Sequence, residues 1–421
     1  MAVVDLASRI ERELMILPKE KISFEGRHMT ALTTQVFRAV LVLLLLAICG
    51  NPLLSATKTS FAGVNWSDPT NDNWGDGVLL PDGLSLSDNN ASAAAVADKV
   101  LGQFQSLLQA NTIRLPLNQA TVSNYWGAYT GVIDKALEKG MNVILCSWAG
   151  VDAAIWNKVI ATYASNAKVY FEPINEPEYL TDAEQCNLYY AFISAYPNVP
   201  QSRFILDGTE GGYNVVPIGK DSRLSGCLLS IHSYYIYGEV HNTEAEWMAY
   251  FQSKVGAYSN RVLITEYGAP MTAGDDYSVS KPGNNQYCYF RGLTEQFRQW
   301  GRGGCYWTAI KNDEWFSLVQ KSGSGANITL KINNQSGMER IWYGWGIGGT
   351  GAADRKINSE QPAHPADVGL LAKNSGEFTL FDSQGRFVRD SKEFDPTACG
   401  LLNGIFIRRS GSKAIRLPSS P

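Results

Sequence analysis

A (β/α)8 barrel is the fold this sequence predicts, on three observations. Eight short apolar runs alternate with longer amphipathic ones from Phe61 onward, the rhythm of parallel-sheet α/β proteins. Together they occupy about 250 residues, the usual size of such a barrel. The unusual polar residues stand at the ends of the runs, where a barrel keeps its active mouth.

The strands are predicted at Phe61–Trp66, Thr112–Leu117, Asn142–Trp148, Val169–Ile174, Arg203–Asp207, Leu228–Tyr234, Arg261–Tyr267 and Gly304–Ala309. Helices fall between most of them. In Ala93–Gln109, residues Val96, Val100, Leu101, Phe104, Leu107 and Leu108 recur at helical spacing. The other helices are Tyr129–Lys139, Asp152–Ser165, Asp182–Tyr196, Glu244–Tyr258 and Gln286–Trp300, with Met338–Trp345 closing the barrel. An open doubly wound sheet would carry a glycine-rich phosphate turn after its first strand. Here that strand runs into Asn65-Trp-Ser-Asp-Pro-Thr-Asn-Asp-Asn-Trp74, with no such turn.

The barrel is framed by segments of other kinds. Arg38 precedes the apolar stretch Ala39–Ile48, too short to span a bilayer comfortably, and a small-residue site follows at Leu54-Ser-Ala56. Residues 1–56 therefore read as a signal peptide region, with Met29 a candidate true start. Residues 57–350 form the barrel domain, and 351–374, rich in Ala, Pro, Asn and Asp, form a linker. Residues 375–421 form a small all-β module with strands at Glu377–Phe381 and Gly404–Arg408.

Composition narrows the function. Hydrophobic residues make up 45% and charged ones 18%, so most of the chain is an ordinary folded protein. A net charge of -4, without clustered Lys or Arg, gives a nucleic acid nothing to hold. Cys146, Cys186, Cys227, Cys288, Cys305 and Cys399 lie outside the targeting segment. An even number in an exported protein permits disulfides, but six are no disulfide framework, and Cys146 and Cys305 lie in apolar runs as buried thiols. No Cys-x-x-Cys or His-x-x-x-His spacing occurs, and with four histidines a protein-held zinc site is not expected.

Two strand ends carry the chemistry. Ile174-Asn-Glu-Pro177 closes the fourth run and Ile264-Thr-Glu-Tyr-Gly268 the seventh. Glu176 and Glu266 would thus face each other across the barrel mouth. Glycoside cleavage needs such a pair: one carboxyl protonates the leaving oxygen and the other attacks C1 or activates water. Separately, Asn-Glu-Pro is also a turn sequence, and Glu266 could cap a helix. Asn175, beside the first glutamate, could hydrogen-bond a sugar 2-OH.

With these motifs, residues 61–347 resemble glycoside hydrolase family 5, the cellulase-like retaining β-glycosidases of clan A. The resemblance implies that Glu176 is the acid/base and Glu266 the nucleophile. Arg114, in Thr112-Ile-Arg-Leu-Pro116, would support the nucleophile. His232 and Tyr234, in Ile231-His-Ser-Tyr234, would line the site, and Trp307 would floor the sugar. Taken singly, Arg114 could be a structural ion pair, and His232 and Trp307 core residues; joint placement at strand ends favours function. Arginine and a tyrosine hydroxyl near Glu266 would keep it ionised, while that charge and partial burial would keep Glu176 protonated. One departure stands out: where the family commonly has a third-strand histidine, this chain has Leu145-Cys-Ser-Trp-Ala149, so Ser147 or Trp148 would replace the imidazole. Trp66, Trp74, Trp126 and Trp315 are candidate sugar platforms, each equally a core or loop-packing residue.

The tail, with Phe381-Asp-Ser-Gln-Gly-Arg-Phe-Val388 and Gly404-Ile-Phe-Ile-Arg408, resembles the C-terminal sorting domain of type IX secretion substrates; a small β-module packed on the barrel or binding carbohydrate is the alternative. The expectation is thus a secreted or surface-held bacterial hydrolase of β-linked polysaccharide, endo-β-glucanase-like, working as a monomer. Its partner would be a polysaccharide or oligosaccharide, with no cofactor, no nucleic acid and no membrane span once the signal is removed. Mannanase, xylan-active or exo-acting β-glycosidase action, and a non-catalytic carbohydrate-binding barrel, are the alternatives.

Overall fold

In the computed structural model of the chain, the described residues are 59–68 and 77–347, plus the backbone of four strands between 378 and 416. The signal region, the linker, Trp74 and Cys399 lie outside them. Eight parallel strands form the sheet: β1 (Phe61–Asn65), β2 (Thr112–Leu117), β3 (Asn142–Ser147), β4 (Val169–Glu172), β5 (Ile205–Asp207), β6 (Leu228–Ser233), β7 (Val262–Tyr267) and β8 (Gly303–Tyr306). Their order is β4-β3-β2-β1-β8-β7-β6-β5. The expected eight strands are all present, in the register of a barrel.

Closure falls between β4 and β5, where a single parallel bridge, Phe171 to Phe204, joins the strands. Side chains reinforce this joint. Below it, Arg203 donates from Nε to the Val169 carbonyl at 2.7 Å and from Nη2 to the Tyr163 carbonyl at 2.9 Å. Above it, Asp207 Oδ2 accepts from the Glu176 backbone N–H at 2.9 Å.

Strand periodicity divides the barrel interior in two. Phe61, Ile144, Ile205, Leu228, Leu263 and Cys305 form one apolar cluster, with Tyr170 packed against it. One step of two residues further along the same strands come Cys146, Glu172, Asp207, Ser230 and Thr265, all fully buried. Side chains two residues apart share a strand face, so the same faces change from apolar to polar toward the C-terminal ends. The site is built there.

Helices cover the outside, each started by a local signal. Asn89 caps the helix Asn90–Leu108 by accepting from Ser92 N. Thr181 with Glu184, and Thr243 with Glu246, form capping boxes for Asp182–Ala195 and Glu244–Val255. The predicted strands and helices agree within a few residues, the helix Trp126–Glu138 starting earlier than its apolar repeat. An antiparallel hairpin, β9 (Val319–Ser322) with β10 (Thr329–Ile332), was not anticipated. Its residues are short, polar and largely exposed, and carry no apolar run.

At one helix crossing a glycine is required. A Cβ on Gly131 of Trp126–Glu138 would lie 2.3 Å from the Asn90 carbonyl oxygen. Alanine would gain about 1 kcal/mol of helix propensity, but overpacking costs about 1–3 kcal/mol. Gly131→Ala is therefore expected to lower the midpoint of thermal unfolding by a few degrees; an unchanged or raised midpoint would contradict the crossing.

The C-terminal strands β11 (Phe378–Phe381), β12 (Phe387–Ser391), β13 (Phe406–Arg409) and β14 (Ile415–Arg416) make an antiparallel sheet in the order β12-β11-β13-β14. Both predicted tail strands belong to it. Among the described residues no helix is long and apolar enough to cross a membrane.

Candidate active site

Arg114 is the centre of the polar layer, 1% exposed, at the middle of β2. Its Nε donates to Glu172 Oε2 at 2.7 Å and its Nη1 to Glu266 Oε1 at 2.6 Å. Nη1 also reaches Asn65 Oδ1 at 3.0 Å, and Nη2 reaches Asn175 Oδ1 at 2.8 Å and the Cys146 thiol sulfur at 3.0 Å. One guanidinium thus ties together groups from β1, β2, β3, β4 and β7. A planar five-donor fork can do this where an ammonium cannot.

Glu266 reaches this centre through a bulge. In the β6–β7 ladder Ile231 pairs with Ile264, but His232 pairs with Glu266, leaving Thr265 as the extra residue. Both Thr265 and Glu266 therefore address the interior, as bulges beside sites often arrange. Tyr234 donates its hydroxyl to Glu266 Oε2 at 3.1 Å. Burial holds that phenol well above the usual tyrosine range, reinforced by the Glu266 charge. It remains a donor at any working pH. Glu266 is thus held by Arg114 on one oxygen and Tyr234 on the other, and is 2% exposed.

Glu176 follows β4 in a left-handed backbone conformation, φ 46°. Non-glycine residues with positive φ are uncommon and are concentrated at functional sites. Its Oε1 lies 3.0 Å from His232 Nδ1. Carboxylate oxygens of Glu176 and Glu266 and a ring nitrogen of His232 all lie within 4.8 Å of one another.

Behind this pair stands a second pair of carboxylates that sequence reading missed. Glu172 and Asp207 are fully buried at the ends of β4 and β5. A charged residue closing a run otherwise covered on both faces needs a partner, and that was the available signal. Burial alone would raise the Glu172 carboxyl, but Arg114 and hydrogen bonds from His232 and Asp207 hold it well below the usual range. Burial pushes Asp207 the other way, well above its usual range, aided by the Glu172 charge and opposed by His232. Burial would lower His232, but the carboxyls around it, Asp207 and Glu266 foremost, hold it well above its ordinary value. Its Nε2 contacts Thr265 Oγ1 at 2.9 Å, and Thr265 in turn donates to Glu172 Oε1 at 2.9 Å.

Of the expected site residues, Arg114, Asn175, Glu176, His232, Tyr234 and Glu266 converge. Trp307 stands beside them, half-buried. At the third strand, Ser147 turns its hydroxyl back to the Gly150 carbonyl at 2.6 Å, while Trp148 lies 5.5 Å from Trp307, ring centre to ring centre. Of the two, Trp148 is the one placed beside Trp307. Two candidate platforms are packing residues. Trp66 is fully buried and donates to the Asp82 carbonyl, and Trp126 stacks on Tyr129 and meets Tyr163 edge-on. Trp315 is half-buried and stacks on Phe316, which stacks on Tyr234. The five described cysteines are free and buried, as expected for Cys146 and Cys305.

A cleft of about 710 Å³ opens beside Glu176, lined among others by Asn118, Gln119, Asn124, Trp148, Asn175 and Tyr179. Tyr179 is 84% exposed on its rim. No lysine or arginine lines it.

No family model matches the chain, and no curated protein sequence matches it. Solved structures do. An endocellulase from Pyrococcus horikoshii, crystallised with cellotetraose, is 15% identical, covers 69% of this chain and 93% of its own, and superposes with a TM-score of 0.50. A thermostable, halotolerant GH5 cellulase from an Icelandic hot spring isolate is 15% identical over 72% of this chain and 99% of that one, TM-score 0.46. An endo-beta-1,4-glucanase from Xanthomonas axonopodis pv. citri is 14% identical over 67% and 98%, TM-score 0.46. At these identities the likeness is one of fold, the barrel itself.

Proposed function

We propose that this chain is a retaining glycoside hydrolase acting on a neutral, β-linked polysaccharide, with endo-acting β-glucan cleavage as the leading activity. The observation that carries the reading is the approach of Glu176 and Glu266 to within 4.8 Å. Retaining enzymes place their carboxyls roughly 5–5.5 Å apart, whereas inverting ones leave about 6.5–9.5 Å for a water.

Glu266, aimed by Arg114 and Tyr234, attacks the anomeric carbon as the glycosidic bond breaks. Glu176 gives its proton to the departing oxygen. The covalent glycosyl-enzyme is then opened by water, which Glu176 deprotonates, and Glu266 leaves as a carboxylate. Asn175 turns its oxygen to Arg114, which offers its amide donors to a substrate hydroxyl. Trp307, extended by Trp148, supplies an aromatic floor for the sugar.

The cleft beside Glu176 offers amides and an exposed tyrosine and no cation, which suits a neutral chain of hydroxyls rather than an anionic one. Its extent beyond the carboxyl pair favours attack within a chain. The motif resemblance to family 5 agrees, and the similar Pyrococcus horikoshii endocellulase, crystallised with cellotetraose, makes β-glucan the first substrate to try. Export belongs to the same reading, supported by the apolar segment Ala39–Ile48 and the tail motifs, with the domain division at 57–350 and 375–421.

The test is hydrolysis of β-glucan, mannan, xylan, galactan and aryl β-glycosides, assayed in medium and cell fractions of an expressing bacterium. Activity is expected outside the cytoplasm, and the first product should carry the β configuration by proton NMR. An α product would overturn the double displacement. Binding without hydrolysis of any substrate would sink the enzyme reading.

A further inference from the structure

Asp207 has no access to solvent and does not itself line the cleft, yet it reaches the acid/base glutamate by two routes. Its Oδ2 accepts from the Glu176 backbone N–H at 2.9 Å. The same oxygen lies 3.6 Å from His232 Nε2, and the other ring nitrogen, Nδ1, lies 3.0 Å from Glu176 Oε1. Glu176 is held where its φ is 46°, a conformation that is unfavourable for a non-glycine residue and persists only when the surroundings impose it. On the β5 side no ladder reaches it, since β4 and β5 share one bridge, at Phe171 and Phe204, and on the β3 side main-chain pairing ends one residue short, with Asn175 N–H on the Ser147 carbonyl at 2.8 Å.

We propose that Asp207 is a positioning residue for Glu176: it fixes the strained backbone through the amide and the carboxyl through His232, so that the acid meets the leaving oxygen. The inference rests on reading Glu176 as the acid/base.

The surroundings of Asp207 fit this role. Its main-chain carbonyl accepts from Gln185 Nε2 and Tyr189 Oη, both at 2.9 Å, on the helix Asp182–Ala195, which anchors the residue from outside the barrel. The titratable groups that face its carboxyl are Glu172 from β4 and His232 from β6, with Arg114 of β2 beyond them. A hydrogen bond between the Asp207 and Glu172 carboxyls helps to hold Glu172 low. Asparagine reproduces that pattern: its oxygen can accept from Glu176 N–H and its amide can donate to Glu172. Alanine removes both.

General acid help matters most when the leaving group is poor. A residue that positions the acid should therefore be needed for an alkyl or glycan leaving group and dispensable for dinitrophenolate, which departs without a proton. The experiment compares wild type, Asp207→Ala, Asp207→Asn and Glu176→Ala on a natural oligosaccharide and on the dinitrophenyl glycoside of the same sugar. Asp207→Ala is expected to lose about 10²-fold in kcat/KM on the oligosaccharide, the order of loss from a misplacement near 1 Å. Its loss in kcat/KM on the dinitrophenyl glycoside, which reports bond cleavage alone, should stay within a few-fold, the same split as Glu176→Ala, and Asp207→Asn should restore the oligosaccharide kcat/KM. Equal losses on the two substrates, or none, overturn the proposal. Should the alanine variant not fold, Asp207→Ser, which ends short of the Glu176 amide, takes its place under the same criteria. A wild type inactive on both substrates sinks the hydrolase reading instead. The crystal structure of Asp207→Ala then decides the positioning role, and a Glu176 φ still near 46° overturns it.

Discussion

Glu266→Gln is expected to lower kcat by roughly 10⁴–10⁶, the range seen when a nucleophile or its essential partner is removed, while leaving the protein folded. The substitution is nearly isosteric. The glutamine oxygen can still accept from Arg114 Nη1, and the Tyr234 hydroxyl can accept from the amide instead of donating to a carboxylate. What disappears is the negative oxygen that, in the proposed mechanism, bonds to the anomeric carbon. Kinetics on the best panel substrate check the rate. Intact mass after a 2-deoxy-2-fluoro glycoside checks the bond, with wild type gaining one sugar and the variant none. Activity within tenfold of wild type would remove Glu266 from the reaction.

Arg114→Met should be the most damaging single change to stability, by about 3–5 kcal/mol. Removing one member of a buried ion pair leaves an uncompensated charge, and here two carboxylates, Glu172 and Glu266, lose the same guanidinium. The pH dependence has a definite sign. Glu172 is held below the ordinary glutamate value of 4.5 in the folded protein. Its ionised form therefore contributes stability above that value, and the contribution is lost as pH falls toward the native one. Without Arg114, burial drives Glu172 the other way. The gap between wild type and Arg114→Met should accordingly be widest above about pH 4.5 and narrow below it. Urea denaturation at several pH values measures the gap; a difference independent of pH would mean that Glu172 is not held by this contact.

The barrel was legible because its strands are continuous apolar runs, as strands covered on both faces must be, and its helices carry apolar residues at helical spacing. The hairpin at Val319–Ser322 and Thr329–Ile332 lacked both signals. Among site residues, those at strand ends within recognisable motifs came together in space. Glu172 and Asp207 were passed over because each is one charge in an apolar run, although burial without a partner is the condition such a residue cannot satisfy. The bulge at Thr265 left no trace in the sequence, since a one-residue register shift depends on the neighbouring strand. For the tryptophans the side chain was visible and its exposure was not, so Trp66 and Trp126 proved to be packing.

The joint between β4 and β5 has one further consequence. Elsewhere around the barrel, strands are zipped by successive main-chain bonds, which a change of side chain leaves in place. Here a single bridge is supplemented by Arg203 at one end and Asp207 at the other. The strand that carries Glu176 is thus hinged to its neighbour by genetically encoded parts. Over a lineage, replacing one of two residues could retilt Glu176, the proposed proton donor, for a different leaving group, with the seven ladders of the sheet left as they were.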